Sequence, residues 1–212
     1  MNRSIKKHSN PLHYPSTDLV ILAGGQARRM NGINKLLQTF DDQIQLIKIH
    51  QQLKSEVAEV WINSHRDDSI YQKLIPSIHC YADDDNGFLG PLMGMQSAWS
   101  HVKSDYVLFV PCDVTYIPAK VILKLHQALA RNRLAEVAYV EINDQALYPF
   151  CLLKRSSLST LRFYLEQEKR SLKHCFADLH AQVAHFHNHA LFFHSINSMD
   201  ELQQHQQLKF LL

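Results

Sequence analysis

Short apolar runs of β-type residues alternate with segments of helical spacing through the first 130 positions of this chain. The β-type runs are Asp18–Ala23, Val57–Asn63, Ser77–Ala82 and Asp105–Val110. The segments with helical spacing are Ile44–Lys54, Asp67–Leu74, Gly90–His101 and Pro118–Ala130, with Asp67 as a candidate N-cap. A β-α-β-α order predicts a mostly parallel sheet with helices on both faces. We therefore expect an α/β fold: a three-layer sandwich around a mostly parallel central sheet.

The remainder of the chain has a less regular pattern. Two strands, Glu136–Ile142 and Gln145–Lys154, are predicted around a tight Asn143-Asp144 turn. Further elements are predicted as helices at Ser156–Glu166 and Ser171–Leu179, strands near Gln182–His187 and Leu191–Ile196, and a closing helix at Ser198–Gln207. Ser198 and Glu201 have the spacing of a capping box. We expect a single domain over residues 17–212, preceded by a flexible tail over residues 1–16.

Composition excludes several classes of protein. Hydrophobic residues make up 46% and charged residues 20% of the 212 residues, which is ordinary for a globular domain with a core. The net charge of +2 gives no general attraction to nucleic acid or membranes. None of the four cysteines has C-x-x-C spacing, and no apolar run is long enough to span a bilayer. We expect a cytoplasmic protein with reduced thiols.

The first predicted strand runs into a glycine-rich loop that suits a polyphosphate. Its sequence is Leu22-Ala23-Gly24-Gly25-Gln26-Ala27-Arg28-Arg29-Met30. Glycines let the backbone approach a ligand closely, and successive N–H groups form a concave anion site. Arg28, Arg29 and Lys35 add cations that match phosphate oxygens. Neither G-x-x-x-x-G-K-[ST] nor G-x-G-x-x-G occurs, so the loop is neither a Walker loop nor a dinucleotide-binding turn.

Polar residues also lie at the carboxyl ends of further strands, where open α/β sheets bind ligands. Asn63 ends the second strand, and Asp113 follows the strand Asp105–Val110. Taken alone, Asp113 would more often cap a turn, but beside a phosphate loop it can hold Mg²⁺. The Asp83-Asp84-Asp85 run would by itself more often be a solvated loop. Its position after a strand also allows hydrogen bonds to a ribose or a base.

Together these motifs resemble the molybdenum cofactor guanylyltransferases. The resemblance rests on the glycine-rich loop with Lys35, on Asp83, and on two longer strings. These strings are Gly90-Pro91-Leu92-x-Gly94-Met95 and Pro111-Cys112-Asp113-x-x-Tyr116-Ile117-Pro118. A weaker match follows at Ser195–Leu202. The chain departs from the family pattern at Asn31, at Asn34 (where the family has Asp), at Tyr148 and at Ser195.

The resemblance implies a Rossmann-like nucleotide-diphospho-sugar transferase fold and a guanylyl transfer. Molybdopterin cofactor and Mg-GTP would give the guanine dinucleotide cofactor and pyrophosphate, with residues 17–130 binding GTP and Mg²⁺ and residues 131–212 binding the acceptor. Carried over by position, the GTP-binding residues would be Leu22, Ala23, Gly24, Gly25, Lys35, Asn63, Asp83 and Asp113. Asp113 would also bind Mg²⁺, and Asn197 would line the side of the metal and the pterin phosphate. Cofactor-delivery proteins and molybdoenzyme apoproteins are further partners that the resemblance suggests.

The residue types suit this chemistry. The attacking phosphate oxygen is already ionised at neutral pH, so the reaction needs no general base. The obstacle is the approach of one anion to another, which positioning and charge neutralisation overcome. We therefore expect Arg28, Lys35 and Asp113 to be the catalytic residues, with Arg29 also stabilising the departing pyrophosphate.

Other functions stay open at the level of sequence. Within enzymes, the alternatives are cytidylyl transfer to the same pterin and nucleotidyl transfer to a sugar phosphate. A catalytically silent nucleotide-binding protein is a non-enzyme alternative. A metal-delivery module is another, because His185, His187 and His189 alternate as on one face of a strand and His174, His180 and His194 lie near them in sequence.

Overall fold

A computed structural model of the chain describes residues 14–24, 33–85, 90–189, 193–196, 198, 200, 201, 203, 204 and 207. Within these residues a seven-stranded sheet has the order β5-β4-β1-β6-β8-β7-β9. Its strands are β1 (Thr17–Leu22), β4 (Val60–Asn63), β5 (His79–Tyr81), β6 (Tyr106–Pro111), β7 (Val137–Ile142), β8 (Gln145–Lys154) and β9 (Gln182–Phe186). A separate two-stranded hairpin is formed by β2 (Thr39–Phe40) and β3 (Gln43–Ile44).

The seven-stranded sheet is mostly parallel, as predicted. β8 alone among its strands runs opposite to the others, because it pairs antiparallel with β6 on one side and with β7 on the other. β7 and β8 form a hairpin whose turn residues, Asn143 and Asp144, have φ of 50° and 63°. Both values lie in the left-handed region that two-residue hairpin turns require and that Asn and Asp tolerate.

Helices cover both faces of the sheet and form the three predicted layers. They are α1 (Gln45–Leu53), α2 (Asp68–Leu74), α3 (Pro91–Ala98), α4 (Val121–Ala130), α5 (Leu158–Glu166) and α6 (Leu172–Asp178). α1, α2 and α4 pack in one apolar core, while α3, α5 and α6 pack in the other. The alternation of strand side chains explains the division, since Leu19 and Ile21 of β1 face the first core and Val20 and Leu22 face the second.

Several sequence predictions need correction. Asp67 precedes α2, but its side chain makes no capping hydrogen bond there. Instead its carboxylate accepts a bond from Asn34 Nδ2 at 2.6 Å. Of the strand predicted over Leu191–Ile196, the described residues 193–196 form one isolated bridge, between Ser195 and Val114. At Ser198 the predicted cap is present, because its Oγ accepts from the N–H of Glu201 at 3.1 Å.

The predicted flexible tail covers residues 1–16, of which residues 1–13 lie outside the described part. Tyr14 contacts the body of the protein through its hydroxyl, which donates to the carbonyl of Glu56 at 3.0 Å. Its ring stacks on His126 with 5.0 Å between centroids. Tail-like behaviour is therefore a prediction for the residues that precede Tyr14.

His126 should make the stability of the fold depend on pH. Burial lowers the pKa of His126 to about 4, and its Nε2 lies 2.9 Å from the hydroxyl of Thr17. Because the unfolded chain binds a proton near pH 6.5 and the folded chain near pH 4, stability should fall as the pH drops through this window, by up to about 3 kcal/mol. Urea denaturation at pH 7 and pH 5 measures the loss. His126→Gln should reduce the difference, and an equal difference in wild type and variant would contradict the assignment.

No helix in the described part of the chain has both the length and the apolar character needed to cross a bilayer. Cys80, Cys112, Cys151 and Cys175 are all present as free cysteines.

Candidate active site

The carboxyl ends of three neighbouring strands form the base of the site. β1 lies between β4 and β6, and Leu22 is in register with Asn63 on one side and Pro111 on the other. The backbone continues this pairing just beyond the strands. The N–H of Ala23 donates to the carbonyl of Asn63 at 2.9 Å, and the N–H of Cys112 donates to the carbonyl of Leu22 at 3.1 Å. The glycine-rich loop therefore leaves the sheet between Asn63 and residues 112–114, which we call the Asp113 segment.

On the β4 side, Asn63 and Asp83 are joined directly. Asn63 Nδ2 donates to Asp83 Oδ1 at 2.8 Å, and His65 Nε2 lies 3.1 Å from Asp83 Oδ2. The Asp83 side chain is only 5% exposed, so both its oxygens are fixed by neighbours rather than by water. The predicted solvated acidic loop therefore begins with a buried, oriented carboxylate. His65, which the sequence analysis did not select, completes this group.

Two glycines make room for the Asn63 side chain. A Cβ on Gly24 would lie 2.9 Å from Asn63 Oδ1, and one on Gly94 would lie 2.4 Å from the same atom. Both distances are shorter than ordinary contacts between non-bonded atoms. Asn63 is 3% exposed and bonded to Asp83, so it has little freedom to move away. Gly24 and Gly94 are thus required for close packing around Asn63.

Gly94→Ala should therefore disturb the Asn63–Asp83 pair. We expect it to weaken nucleotide binding by at least about tenfold and to destabilise the fold by about 1–3 kcal/mol, the usual cost of overpacking. Isothermal calorimetry and thermal melting measure the two effects. Ser100→Ala, at an exposed position just after α3, is the control. Nucleotide affinity equal to that of wild type would show that Asn63 does not act in binding.

On the β6 side, Lys35 and Asp113 form an ion pair. Lys35 Nζ lies 3.0 Å from Asp113 Oδ2, and the two side chains are 15% and 18% exposed. Lys35 begins a short 3-10 turn, Lys35–Leu37, that periodicity in the sequence did not predict. The lysine expected to contact phosphate and the aspartate expected to hold Mg²⁺ therefore lie next to each other.

Two regions that are distant in sequence hold the Asp113 segment in place. The carbonyl of Asp113 accepts from the N–H of Ile196 at 3.1 Å, next to the bridge between Val114 and Ser195. From α1, the fully buried Gln45 donates through Nε2 to the carbonyls of Cys112 and Val114, at 3.2 and 2.7 Å. Sequence reasoning missed Gln45, because nothing in its own neighbourhood indicates contacts more than 60 positions away.

Cys112, although adjacent to Asp113, is not suited to act as a nucleophile. Burial, followed by the charge of Asp113, raises the pKa of the Cys112 thiol to about 12. The thiolate is the reactive form of cysteine, and a raised pKa leaves little of it at neutral pH.

The donor set at this edge of the sheet fits Mg²⁺. Mg²⁺ binds one or two protein carboxylates and completes its shell with substrate phosphates and water, and Asp113 is a partly exposed carboxylate of this kind. Among the described residues, no three His, Cys, Asp or Glu side chains come close enough together to hold a metal ion by themselves.

The histidines near the carboxyl end do not share one strand face. β9 ends at Phe186, so His187 and His189 lie beyond it. His185 Nδ1 pairs with Glu141 Oε1 at 2.6 Å, and His194 Nε2 lies 3.0 Å from the carbonyl of Ile142. These contacts give two of the histidines structural partners.

Four residues of the predicted site lie outside the described part of the chain. They are Gly25, Arg28, Arg29 and Asn197. The other predicted residues lie at the carboxyl ends of β1, β4, β5 and β6 or in the turn that carries Lys35. The fold brings these residues together, and their roles stay predictions.

Comparison with known proteins identifies the family. The model of the MobA-like NTP transferase domain matches residues 19–184. A molybdenum cofactor guanylyltransferase of Acinetobacter baumannii is 67% identical over 196 residues, which cover 92% of this chain and 94% of the relative.

Solved structures show the same fold at low identity. Molybdopterin-guanine dinucleotide biosynthesis protein A from Archaeoglobus fulgidus is 16% identical, with a TM-score of 0.67 over 92% of this chain and 100% of that one. The inositol-1-phosphate CTP transferase of T. maritima is 11% identical, with a TM-score of 0.69 over 92% and 96%. The predicted nucleotide-diphospho-sugar transferase fold is confirmed. The chain therefore belongs to the family of MobA-like NTP transferases and is a nucleotidyltransferase of the molybdenum cofactor guanylyltransferase group.

Proposed function

We propose that this protein transfers GMP from Mg-GTP to the phosphate of molybdopterin cofactor, giving molybdopterin guanine dinucleotide and pyrophosphate. The name of the 67% identical relative supports this substrate pair. One oxygen of the acceptor phosphate forms a bond to the α-phosphorus of GTP, and the bond from that phosphorus to the bridging oxygen breaks. The electron pair of that bond leaves with pyrophosphate, so no proton needs to move in the step.

The observation that carries the proposal is the separation of two polar pairs across β1. Lys35 and Asp113 lie on the β6 side, and Asn63 and Asp83 lie on the β4 side. A cation beside a carboxylate suits a triphosphate with its magnesium ion, and an oriented amide and carboxylate suit a nucleoside. GTP is therefore proposed to lie across the carboxyl end of β1, with guanosine towards Asp83 and phosphates towards Lys35.

Catalysis in this arrangement is positioning and neutralisation of charge. When bound, Mg²⁺ would be held by Asp113 and would supply positive charge to the phosphates. Lys35 would turn from Asp113 to the phosphates, and Arg28 and the Leu22–Gly25 backbone would add further donors by family position. The carbonyl groups of Cys112 and Val114, which accept hydrogen bonds from Gln45, would keep Asp113 in place as charge develops.

The acceptor is proposed to bind through residues 131–212, with Asn197 on its phosphate side. The contacts of residues 193–196 with Asp113 and its neighbours support this, because they bring the chain just before Asn197 to the nucleotide site. We further propose a cytoplasmic location, with cofactor-delivery proteins and molybdoenzyme apoproteins as later partners.

Nucleotide preference tests the proposal. GTP should bind at least about tenfold more tightly than ATP, CTP or UTP, because a site with oriented hydrogen-bonding groups rejects bases that leave those groups unpaired. Calorimetry with each nucleotide and Mg²⁺ measures this, and transfer is then followed with purified molybdopterin cofactor. Asp83→Asn should remove most of the preference. CTP as the tightest ligand would indicate cytidylyl transfer, and turnover of a sugar phosphate alone would exclude the pterin acceptor.

A further inference from the structure

Asn34 is bonded on three sides just before the active-site lysine. Its Oδ1 accepts from the N–H of Leu36 at 3.0 Å, which begins the 3-10 turn that carries Lys35. Its Nδ2 donates to Asp67 Oδ2 at 2.6 Å and to the hydroxyl of Tyr71 at 2.7 Å. One amide thus joins the turn of Lys35 to the segment that follows β4, across 33 and 37 positions of sequence.

The two partners of the Asn34 Nδ2 group, Asp67 and Tyr71, are themselves fixed. Tyr71 is 1% exposed in the apolar core, so its hydroxyl provides a rigid point of attachment. Asp67 has a left-handed backbone with φ of 65°, and its carboxylate is directed to Asn34 rather than to the start of α2. Leu36, which lies between Lys35 and the end of the turn, is fully buried. The main chain of Lys35 is therefore held from both sides.

We propose that Asn34 is the positioning residue of Lys35 and that Asp67 makes an amide, rather than a carboxylate, necessary at position 34. The proposal rests on the role proposed above for Lys35 at the triphosphate. A carboxylate at position 34 could still accept from the N–H of Leu36. It would, however, stand within about 3 Å of the Asp67 carboxylate and would have no proton to donate, so the two charges would repel.

Exchanging the two side chains should restore the contact. In the double variant Asn34→Asp/Asp67→Asn, the amide at position 67 donates to the carboxylate at position 34, and the direction of the hydrogen bond is reversed. The same carboxylate accepts from Leu36 and from the hydroxyl of Tyr71. Asp67→Asn alone should be mild, because an amide oxygen can accept the bond from Asn34 as the carboxylate does.

A matched control lies elsewhere in the chain. Asn132 Oδ1 accepts from the N–H of Leu134 at 3.0 Å, the same two-residue spacing as between Asn34 and Leu36. It follows α4 and belongs to none of the strand ends that form the site. Asn132→Asp should leave nucleotide binding and transfer unchanged, since a carboxylate can accept this bond equally well.

The experiment measures the dissociation constant of the tightest of the four Mg-nucleoside triphosphates, together with transfer rate and melting temperature. Asn34→Asp should weaken binding and slow transfer by about tenfold each, and the exchanged double variant should return both to within about threefold of wild type. In a Lys35→Ala background, Asn34→Asp should add less than about twofold, because its effect acts through Lys35. If Asn34 were merely structural, Asn34→Asp would lower the melting temperature, and its effect on binding would be the same with and without Lys35.

Three results would overturn the inference. They are Asn34→Asp binding like wild type, a full tenfold effect in the Lys35→Ala background, and no recovery in a double variant that melts like wild type. Failure of the proposed function would look different, because wild type would then bind a nucleotide but transfer no GMP to molybdopterin. In that case the nucleotide-binding measurements on the variants would still test the role of Asn34. Wild type that binds none of the four nucleotides would overturn both.

Discussion

Asp113→Ala should reduce nucleotidyl transfer by at least about a thousandfold, the largest effect expected from one substitution in this protein. Its carboxylate is the proposed magnesium ligand, and it pairs with Lys35 at 3.0 Å at the carboxyl end of β6. Removing it takes away both the proposed metal ligand and the ion-pair partner of the lysine. Steady-state and single-turnover rates in Mg²⁺ measure the loss.

The control for this variant lies at the other end of the same strand. Asp105 precedes β6, and its side chain is 82% exposed beside Arg155. Asp105→Ala should keep transfer within about twofold, because surface ion pairs contribute little. Near-wild-type rates for Asp113→Ala in Mg²⁺, with the melting temperature unchanged, would show that another residue holds the metal.

Lys35→Ala should slow transfer by about two to three orders of magnitude, comparable to the loss of one donor that stabilises charge in a transition state. The side chain is only 15% exposed, so the variant should also lose some stability with the Asp113 pair. We expect about 1 kcal/mol, or a fall in melting temperature of about 2–4 °C. This exceeds what a fully exposed lysine would contribute.

Lys54→Ala is the matched substitution, since Lys54 is exposed at the end of α1. It should leave both rate and melting temperature unchanged within about twofold and 1 °C. A Lys35→Ala variant that melted several degrees lower yet transferred GMP at the wild-type rate would make the lysine purely structural.

The sheet and the edge that carries the site could be predicted because their signals are local. Apolar runs that end in Asn63 and before Asp113 indicate strands, and parallel strands bring their carboxyl ends together. The hairpin Thr39–Phe40 and Gln43–Ile44 escaped prediction, since two residues per strand give no periodicity.

The side-chain contacts between these elements could not be predicted, because the polar residues bind partners that are distant in sequence rather than the expected local ones. Asp67 has the sequence signal of a helix cap, but Asn34 competes for its carboxylate from 33 positions away. Asp83 reads as part of a solvated acidic run, whereas Asn63 and His65 hold it in a buried position. Only the folded chain shows which of a polar residue's potential partners is within reach.

The contacts between the Asp113 segment and residues 193–196 can form only late in synthesis of the chain. The hydroxyl of Thr115 donates to the carbonyl of Phe193, which is synthesised 78 positions later. At typical translation speeds of about 5–20 residues per second, this delay is roughly 4–16 s. The glycine-rich loop after β1 is therefore synthesised well before residues 193–196 can contact the Asp113 segment. Premature termination after β9 should therefore leave a chain in which Gln45 and Lys35 still contact residues 112–114, while the contacts from residues 193–196 are missing.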